Sequence, residues 1–350
     1  MTSPSRPRRT PHPAWTVVGL LLAAIVAAVS ALVVWPPVFG LQRTFPMTQF
    51  ISFRLVALCA LGVLVLVLAA ILFASPAVRR LLGPSTAVLT VAGLVLGSLF
   101  LLRGVSPGSG PTDEAEAIRV LSWNTLGNEP GSPTIAQLAL EYRADVVVLP
   151  ETTHDMGAEI AGLMSEGGRP MWVLSATGAD GYRAAETTIL ISDALGDYET
   201  TDEFGSTSLL ASVVATPVDG EGPTFVATHP IAPVPEYMPQ WREDLEWVAS
   251  MCRGDTIVAG DLNATLDHFV GLESPDAAGA VLGECRDAAF DAGSASVGTW
   301  TSGKPPLFVP AIDHVMYTGG WKVNAFEVIT SEDRSGSDHR PVFAELVPAS

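Results

Sequence analysis

The chain has 350 residues, 48% of them hydrophobic, with a mean hydropathy of +0.35 and a formal net charge of −18. That average is too apolar for an ordinary soluble protein and implies membrane segments. The charge is divided: residues 1–103 hold eight arginines and no acid, so the remainder sets 11 basic residues against all 37 acidic ones. So acidic a domain repels polyanions unless a metal or a local basic patch intervenes, which disfavours tight nucleic-acid binding.

Residues 1–14 form a tail rich in Pro and Arg. Residues 15–35 follow as an uncharged run bounded by Trp15 and Trp35, long enough to cross about 30 Å of hydrocarbon as a helix with an aromatic at each interface. A cleaved signal peptide is the alternative reading. Two further apolar spans, at 55–74 and 84–102, weigh against it. The last contains Gly93-x-x-x-Gly97, a pattern that either brings two helices close or is simply a pair of small residues. Five arginines (6, 8, 9, 79 and 80) fall on one side of these spans, and Arg43, Arg54 and Arg103 on or near the other. The positive-inside rule then places the N-terminus in the cytoplasm and, after three crossings, the rest of the chain outside it. The expected organisation is a membrane anchor over 1–103 with three transmembrane helices, a Gly/Ser/Pro-rich and then acidic linker over 104–117, and one domain over 118–350.

Within that domain, short apolar runs predict strands at 118–123, 146–149, 188–191, 210–216, 225–228, 256–260, 312–317, 322–329 and 342–346. Amphipathic patterns predict helices near 133–142 and 237–251, the latter with Trp241, Leu245 and Val248 on one face. Cys59 lies in an apolar run. Cys252 and Cys285 either pair, if the domain sits outside the cytoplasm, or are two buried thiols.

Several of these strands run into a polar residue suited to metal or phosphate chemistry. They are Asn124, Glu151, His229, Asp261 with Asn263, Asp313, and Asp338 with His339. On an extended backbone Asp261 and Asn263 project to the same side. A carboxylate beside an amide suits the activation of a water and the grip of a phosphate oxygen; the same Asp-x-Asn also suits a turn that bonds its own backbone. One such residue is a loop, but six at successive strand ends suggest one site at one edge of the sheets.

In order, Ser122-x-Asn124, Pro150-Glu151, Thr228-His229, Gly260-Asp261-x-Asn263, Ile312-Asp313-His314 and Ser337-Asp338-His339 resemble the motifs of the endonuclease/exonuclease/phosphatase superfamily. The resemblance spans about 118–348. It implies a four-layered α/β sandwich, two packed mixed sheets flanked by helices, here preceded by three transmembrane helices. It also implies hydrolysis of phosphate esters with a divalent metal, usually Mg²⁺, with Mn²⁺ as a substitute.

The resemblance further implies that Glu151 is the principal metal ligand, with Asn124 and Asp338 close by. Hard oxygen donors of this kind suit Mg²⁺. By the same resemblance, Asp261 orients or deprotonates the attacking water, helped by Asn263. His339 contacts the phosphate, and Asp313 holds its ring in one tautomer. His229 contacts phosphate or protonates the leaving group, with Glu186 as its carboxylate partner. Tyr182 is a weaker candidate for a phosphate contact. His154, His268 and His314 fall off the motifs and read as surface or packing residues. The acid that apurinic endonucleases carry two positions beyond the Asn is replaced here by Leu126, so one ligand of that pattern is missing.

Three spans followed by such a domain also resemble membrane-bound teicoplanin-resistance proteins of the same superfamily, which are associated with lipid-pyrophosphate hydrolysis at the outer face. The expected function is therefore a phosphoesterase held at the bilayer, acting outside the cytoplasm on a lipid-linked phosphate such as a polyprenyl pyrophosphate or a phospholipid. An extracytoplasmic nuclease and an inactive binding module are the alternatives.

Overall fold

The computed structural model describes residues 14–178 and 185–349. Tyr182 and the arginines at 6, 8 and 9 lie outside these.

Three helices are long and apolar enough to cross a membrane: α1 (Ala14–Val34), α3 (Arg54–Ile71) and α4 (Pro76–Leu102). Helix α4 starts at Pro76 rather than near 84 and runs through Pro84, giving up one backbone N–H donor there. The small residues of these helices mark where they touch. Gly19 of α1 passes so close to α4 that an added Cβ would lie 2.2 Å from the Arg80 carbonyl, and Gly93 and Gly97 face Leu61 and Leu58 of α3 at 3.5 Å. The Gly93-x-x-x-Gly97 pattern is thus a helix contact.

The three helices form one compact unit. The other takes everything from Leu101 onward together with Gln42–Phe53, the segment between α1 and α3 that contains the short helix α2 (Met47–Ser52). This segment was expected to belong to the anchor. It joins the domain through main-chain carbonyls, which every residue offers and no composition reveals. Gln42 Nε2 donates to Val270 O (2.7 Å) and an Arg43 guanidinium N–H to His268 O (2.7 Å). The expected linker is also built in: Gly108 bridges to Glu327, and the Thr112 hydroxyl donates to Glu345 Oε1 (2.6 Å).

The domain contains two six-stranded mixed sheets. The first holds β1 (Ile118–Ser122), β2 (Val146–Pro150), β3 (Met171–Thr177), β4 (Glu186–Ser192), β11 (Trp321–Val328) and β12 (Val342–Pro348), in the order β11-β12-β1-β2-β4-β3. The second holds β5 (Tyr198–Thr200), β6 (Val213–Pro217), β7 (Thr224–Thr228), β8 (Thr256–Asp261), β9 (Arg286–Asp287) and β10 (Asp313–Tyr317), in the order β5-β6-β7-β8-β10-β9. Pairs β1/β2 and β7/β8 are parallel and the rest antiparallel.

Period-2 alternation explains why the central strands are apolar at nearly every position. Val120, Val146, Val148, Ile257 and Ala259 enter the core between the sheets. Their neighbours Leu121, Val147 and Leu149 pack under α5 (Ser132–Glu141) and α6 (His154–Glu166), and Val258 under α7 (Met238–Met251). A strand covered on both faces has no solvent side to mark with polar residues. The result is the expected sandwich of helix, sheet, sheet and helix.

Cys252, at the end of α7, and Cys285, just before β9, form a disulfide across 33 positions. Of the two readings left open by the sequence, the paired one holds.

Candidate active site and metal centre

The polar residues that follow the strands meet at one end of the two sheets. β1 and β2 run parallel in adjacent positions, so the residues after them, Asn124 and Glu151, emerge side by side. Asn124 Nδ2 donates to Glu151 Oε1 (3.0 Å) and to Asp261 Oδ2 (3.0 Å), linking the first sheet to the second. Glu151 has a φ of +60°, a left-handed conformation unusual for a non-glycine residue and typical of functional turns. In the second sheet β7 and β8 are parallel neighbours, and β10 pairs with β8 so that Asp313 lies opposite Asp261. Gly260 carries the strands through their closest approach: a Cβ there would sit 1.9 Å from Thr228 O.

Asp261 is the centre of the group and is 2% exposed. Its Oδ2 lies 3.6 Å from both His229 Nε2 and His339 Nε2. Burial alone would raise its pKa. The His339 charge, and then the hydrogen bond and charge of His229, outweigh that and hold Asp261 below the usual carboxylate value. His339 shows the converse balance. Burial would lower its pKa, but Asp313 and Asp261 hold it up to about 10. Its Nδ1 sits 2.9 Å from Asp313 Oδ2, which fixes the ring and keeps the imidazole protonated near neutral pH. His339 is further tied in place by its backbone N–H, which donates to Ser337 Oγ (3.0 Å), while Ser337 Oγ donates to Asn124 O (2.6 Å).

Asp261 and Asn263 do come together, but not through strand alternation. The strand ends at Asp261, and Asn263 turns back with φ +47°. Its backbone N–H donates to Asp261 Oδ1 (2.8 Å), and its Nδ2 lies 3.4 Å from Asp261 Oδ2. The Asx-type turn and the shared site are the same structure.

Asp338 completes the rim. Trp300 Nε1 donates to its Oδ2 (2.9 Å), whereas its Oδ1 is buried without a hydrogen-bond partner among the described residues and lies 4.0 Å from His339 Nε2. A buried carboxylate oxygen with no donor needs a cation or a water. Glu151, half-buried after β2, offers a second carboxylate at this end of the sheets, and hard oxygens of this kind suit a divalent ion. Asn124 offers its N–H to the two carboxylates, and its Oδ1 accepts from Leu126 N (3.0 Å). Ligand atoms of Asp261, Asp313 and His339 also lie within 4.8 Å of one another. The proton held on His339 competes with a cation at that second place.

No hydrogen bond joins Glu186 to His229: Glu186 opens β4, paired with Thr177 and next to the Thr187–Pro150 pair that leads into Glu151. His229 Nδ1 is buried without a hydrogen-bond partner among the described residues. Of the remaining histidines, His154 is an exposed neighbour of Ser175, His314 is buried between Asp287 and Ala264 O, and His268 is buried against Thr265 and Thr48. The contribution of Trp300 has no signal in the sequence, because it arrives from a loop with no flanking motif.

The sequence pattern of the endonuclease/exonuclease/phosphatase family matches residues 121–339. The chain belongs to this family. Its members are typically hydrolases of phosphodiester or phosphate bonds, and the fold and the gathered carboxylates here are of that kind. No curated protein matches the chain. Among solved structures, truncated TDP2 from Caenorhabditis elegans is similar at 19% identity and a TM-score of 0.50, over 66% of this chain and 98% of that one. TDP2 of D. rerio, humanized by 14 mutations, is similar at 16% identity and 0.50, over 66% and 99%. An endonuclease/exonuclease/phosphatase from Beutenbergia cavernae DSM 12333 is similar at 19% and 0.47, over 67% and 72%. Likeness at these identities is likeness of fold.

Proposed function

We propose that the protein is a membrane-anchored, divalent-metal-dependent phosphoesterase that hydrolyses the phosphate ester or pyrophosphate of a membrane-linked substrate outside the cytoplasm. The observation that carries the chemistry is the buried Asp261 carboxylate, held ionised 3.6 Å from two imidazoles. Glu151 and Asp338 would hold the ion, with Asn124 beside them, and the ion would supply positive charge to the phosphate oxygens. Asp261, oriented by Asn263, receives a proton from the attacking water. Water adds to phosphorus, the bond from phosphorus to the leaving oxygen breaks, and that oxygen takes up a proton. Protonated His339, steadied by Asp313, meets the charge that builds on the phosphate, and His229, equally near Asp261 Oδ2, serves the leaving group.

Three features support the location and the substrate. Three apolar helices tether the domain to a bilayer, which raises its effective concentration toward lipid head groups. The Cys252–Cys285 disulfide suits an oxidising compartment. By sequence position the arginines at 6, 8, 9, 79 and 80 outnumber Arg43, Arg54 and Arg103, and the positive-inside rule then favours the face of the larger group as cytoplasmic. The few basic residues of the domain disfavour a nucleic-acid substrate.

The test is full-length protein in membranes with Mg²⁺, offered a prenyl diphosphate, a phospholipid panel and plasmid DNA, with Glu151→Ala as control. Phosphate release from a lipid, lost in the variant, is expected. Brisk nicking of DNA with no release from any lipid would overturn the reading in favour of a nuclease, and no turnover at all would favour a binding module.

A further inference from the structure

Beside the candidate site lies a cavity of about 360 Å³, within the size range of small-molecule pockets. Its walls are mainly carbon. Phe45 and Phe53 come from the segment between α1 and α3, and Val234 and Pro235 from the loop after His229. Its other boundary is the site itself. Asn263, whose N–H groups approach both Asp261 oxygens, and Trp300, whose N–H holds Asp338, both line the cavity.

The aromatic wall is not a loop that happens to lie nearby. Gln42, Arg43 and Gln49 donate to carbonyls of Val270, His268 and Pro233, and the Thr48 carbonyl accepts from His268 Nε2. Polar side chains thus fasten the segment, while Phe45 and Phe53 stay 56% and 37% exposed. Exposed aromatics held beside a polar reaction centre signal a binding surface. In the chain the segment lies between α1 and α3, both long and apolar enough to cross a membrane, and leads directly into α3.

We propose that this cavity receives the hydrocarbon chain of the substrate, next to the phosphate at Asp261, and that residues 42–53 are a substrate-binding element rather than a connection between spans. The inference rests on the proposed hydrolysis of lipid-linked phosphates and specifies how such a substrate is told from a soluble one. Each methylene that enters such a cavity strengthens binding by about fourfold, so chain recognition outweighs what a single phosphate contact adds.

The test compares farnesyl diphosphate with methyl diphosphate, using full-length protein in lipid nanodiscs with Mg²⁺. Val234→Asp places a charge on the cavity wall and touches none of the acids of the site. It is expected to raise KM for farnesyl diphosphate by about tenfold or more and to leave turnover of methyl diphosphate unchanged. Phe45→Ser serves as a second variant. A photoreactive farnesol without phosphate is expected to label Phe45, Phe53 or Val234 in the unaltered protein and to lose that labelling in Val234→Asp. Equal effects on both diphosphates, or none on either, would overturn the proposal, as would absent labelling. Labelling without turnover of any diphosphate would keep the chain site and sink the hydrolytic reading instead.

Discussion

His268 Nε2 donates a hydrogen bond to the carbonyl of Thr48, 220 positions away, at 3.1 Å. Its other ring nitrogen, Nδ1, accepts from Thr265 N at 2.8 Å. One nitrogen must therefore donate and the other accept, which only the neutral ring with its proton on Nε2 satisfies. Burial lowers the His268 pKa to about 4; neighbouring Asp267 opposes this, and Arg103 and Arg43 add to it.

A pH dependence follows from the Nδ1 acceptor. In the unfolded chain His268 takes up a proton near its ordinary 6.5, in the folded protein only near 4. Its contribution is fully present above about 6.5 and is lost as pH falls toward 4, amounting to about 3 kcal/mol in all. Hydrogen exchange at Thr265 in nanodiscs should show protection falling over that window, because a protonated ring keeps its bond to Thr48 but no longer accepts from Thr265 N. In His268→Ala, that protection should be low at every pH. Protection of Thr265 that stays flat from pH 7 to 4 in the unaltered protein would contradict the acceptor role of Nδ1.

Metal removal should stop turnover without unfolding the domain, because Glu151 and Asp338 lie at the rim rather than between the sheets. Chelation is expected to abolish activity, and Mg²⁺ to restore it, with thermal unfolding shifted only by the ligand-binding contribution. Trp300→Phe removes the donor to Asp338 Oδ2 and should weaken apparent Mg²⁺ affinity by about 10–100-fold, read as activity against metal concentration.

Asp261→Asn should lower kcat by about 10²–10⁴-fold, the usual range for losing a proton-transfer group. Asp313→Asn replaces the carboxylate that holds His339 Nδ1 and should cost about 10²-fold or more, because the amide steadies neither the tautomer nor the charge. Circular dichroism should show both variants folded. Unchanged kcat in either would remove that residue from the proposed chemistry.

Replacing Cys252 and Cys285 together by Ser should lower stability by about 3–4 kcal/mol, the chain-entropy expectation for a loop of 33 residues. Denaturant unfolding of the purified protein measures it. A midpoint that does not move would mean that the cross-link adds nothing to the packing of α7 against the second sheet.

The elements that the sequence missed were hidden for identifiable reasons. Helix α6 carries Gly157 and Gly162, which break an apolar stripe. Yet Gly157 is there because the helix presses on β4: a Cβ would lie 2.6 Å from Thr188 Cγ2. Strand β3 is half-exposed at the edge of its sheet and lacks clean alternation, and β5 and β9 are only three and two residues long. A pattern that short carries no period to read.

By itself the sequence determined the apolar spans, the two-sided burial of the central strands and the polar residue after each of them. Those are written in local periodicity and composition, which chain neighbours alone express. Only the tertiary structure decided that Asn124 bridges Glu151 and Asp261, that Trp300 serves Asp338 while no hydrogen bond joins Glu186 to His229, and that residues 42–53 belong with the two-sheet domain. Each of these rests on a contact between distant positions. Several run through backbone carbonyls that are the same at every residue, so they leave no trace in the order of the side chains.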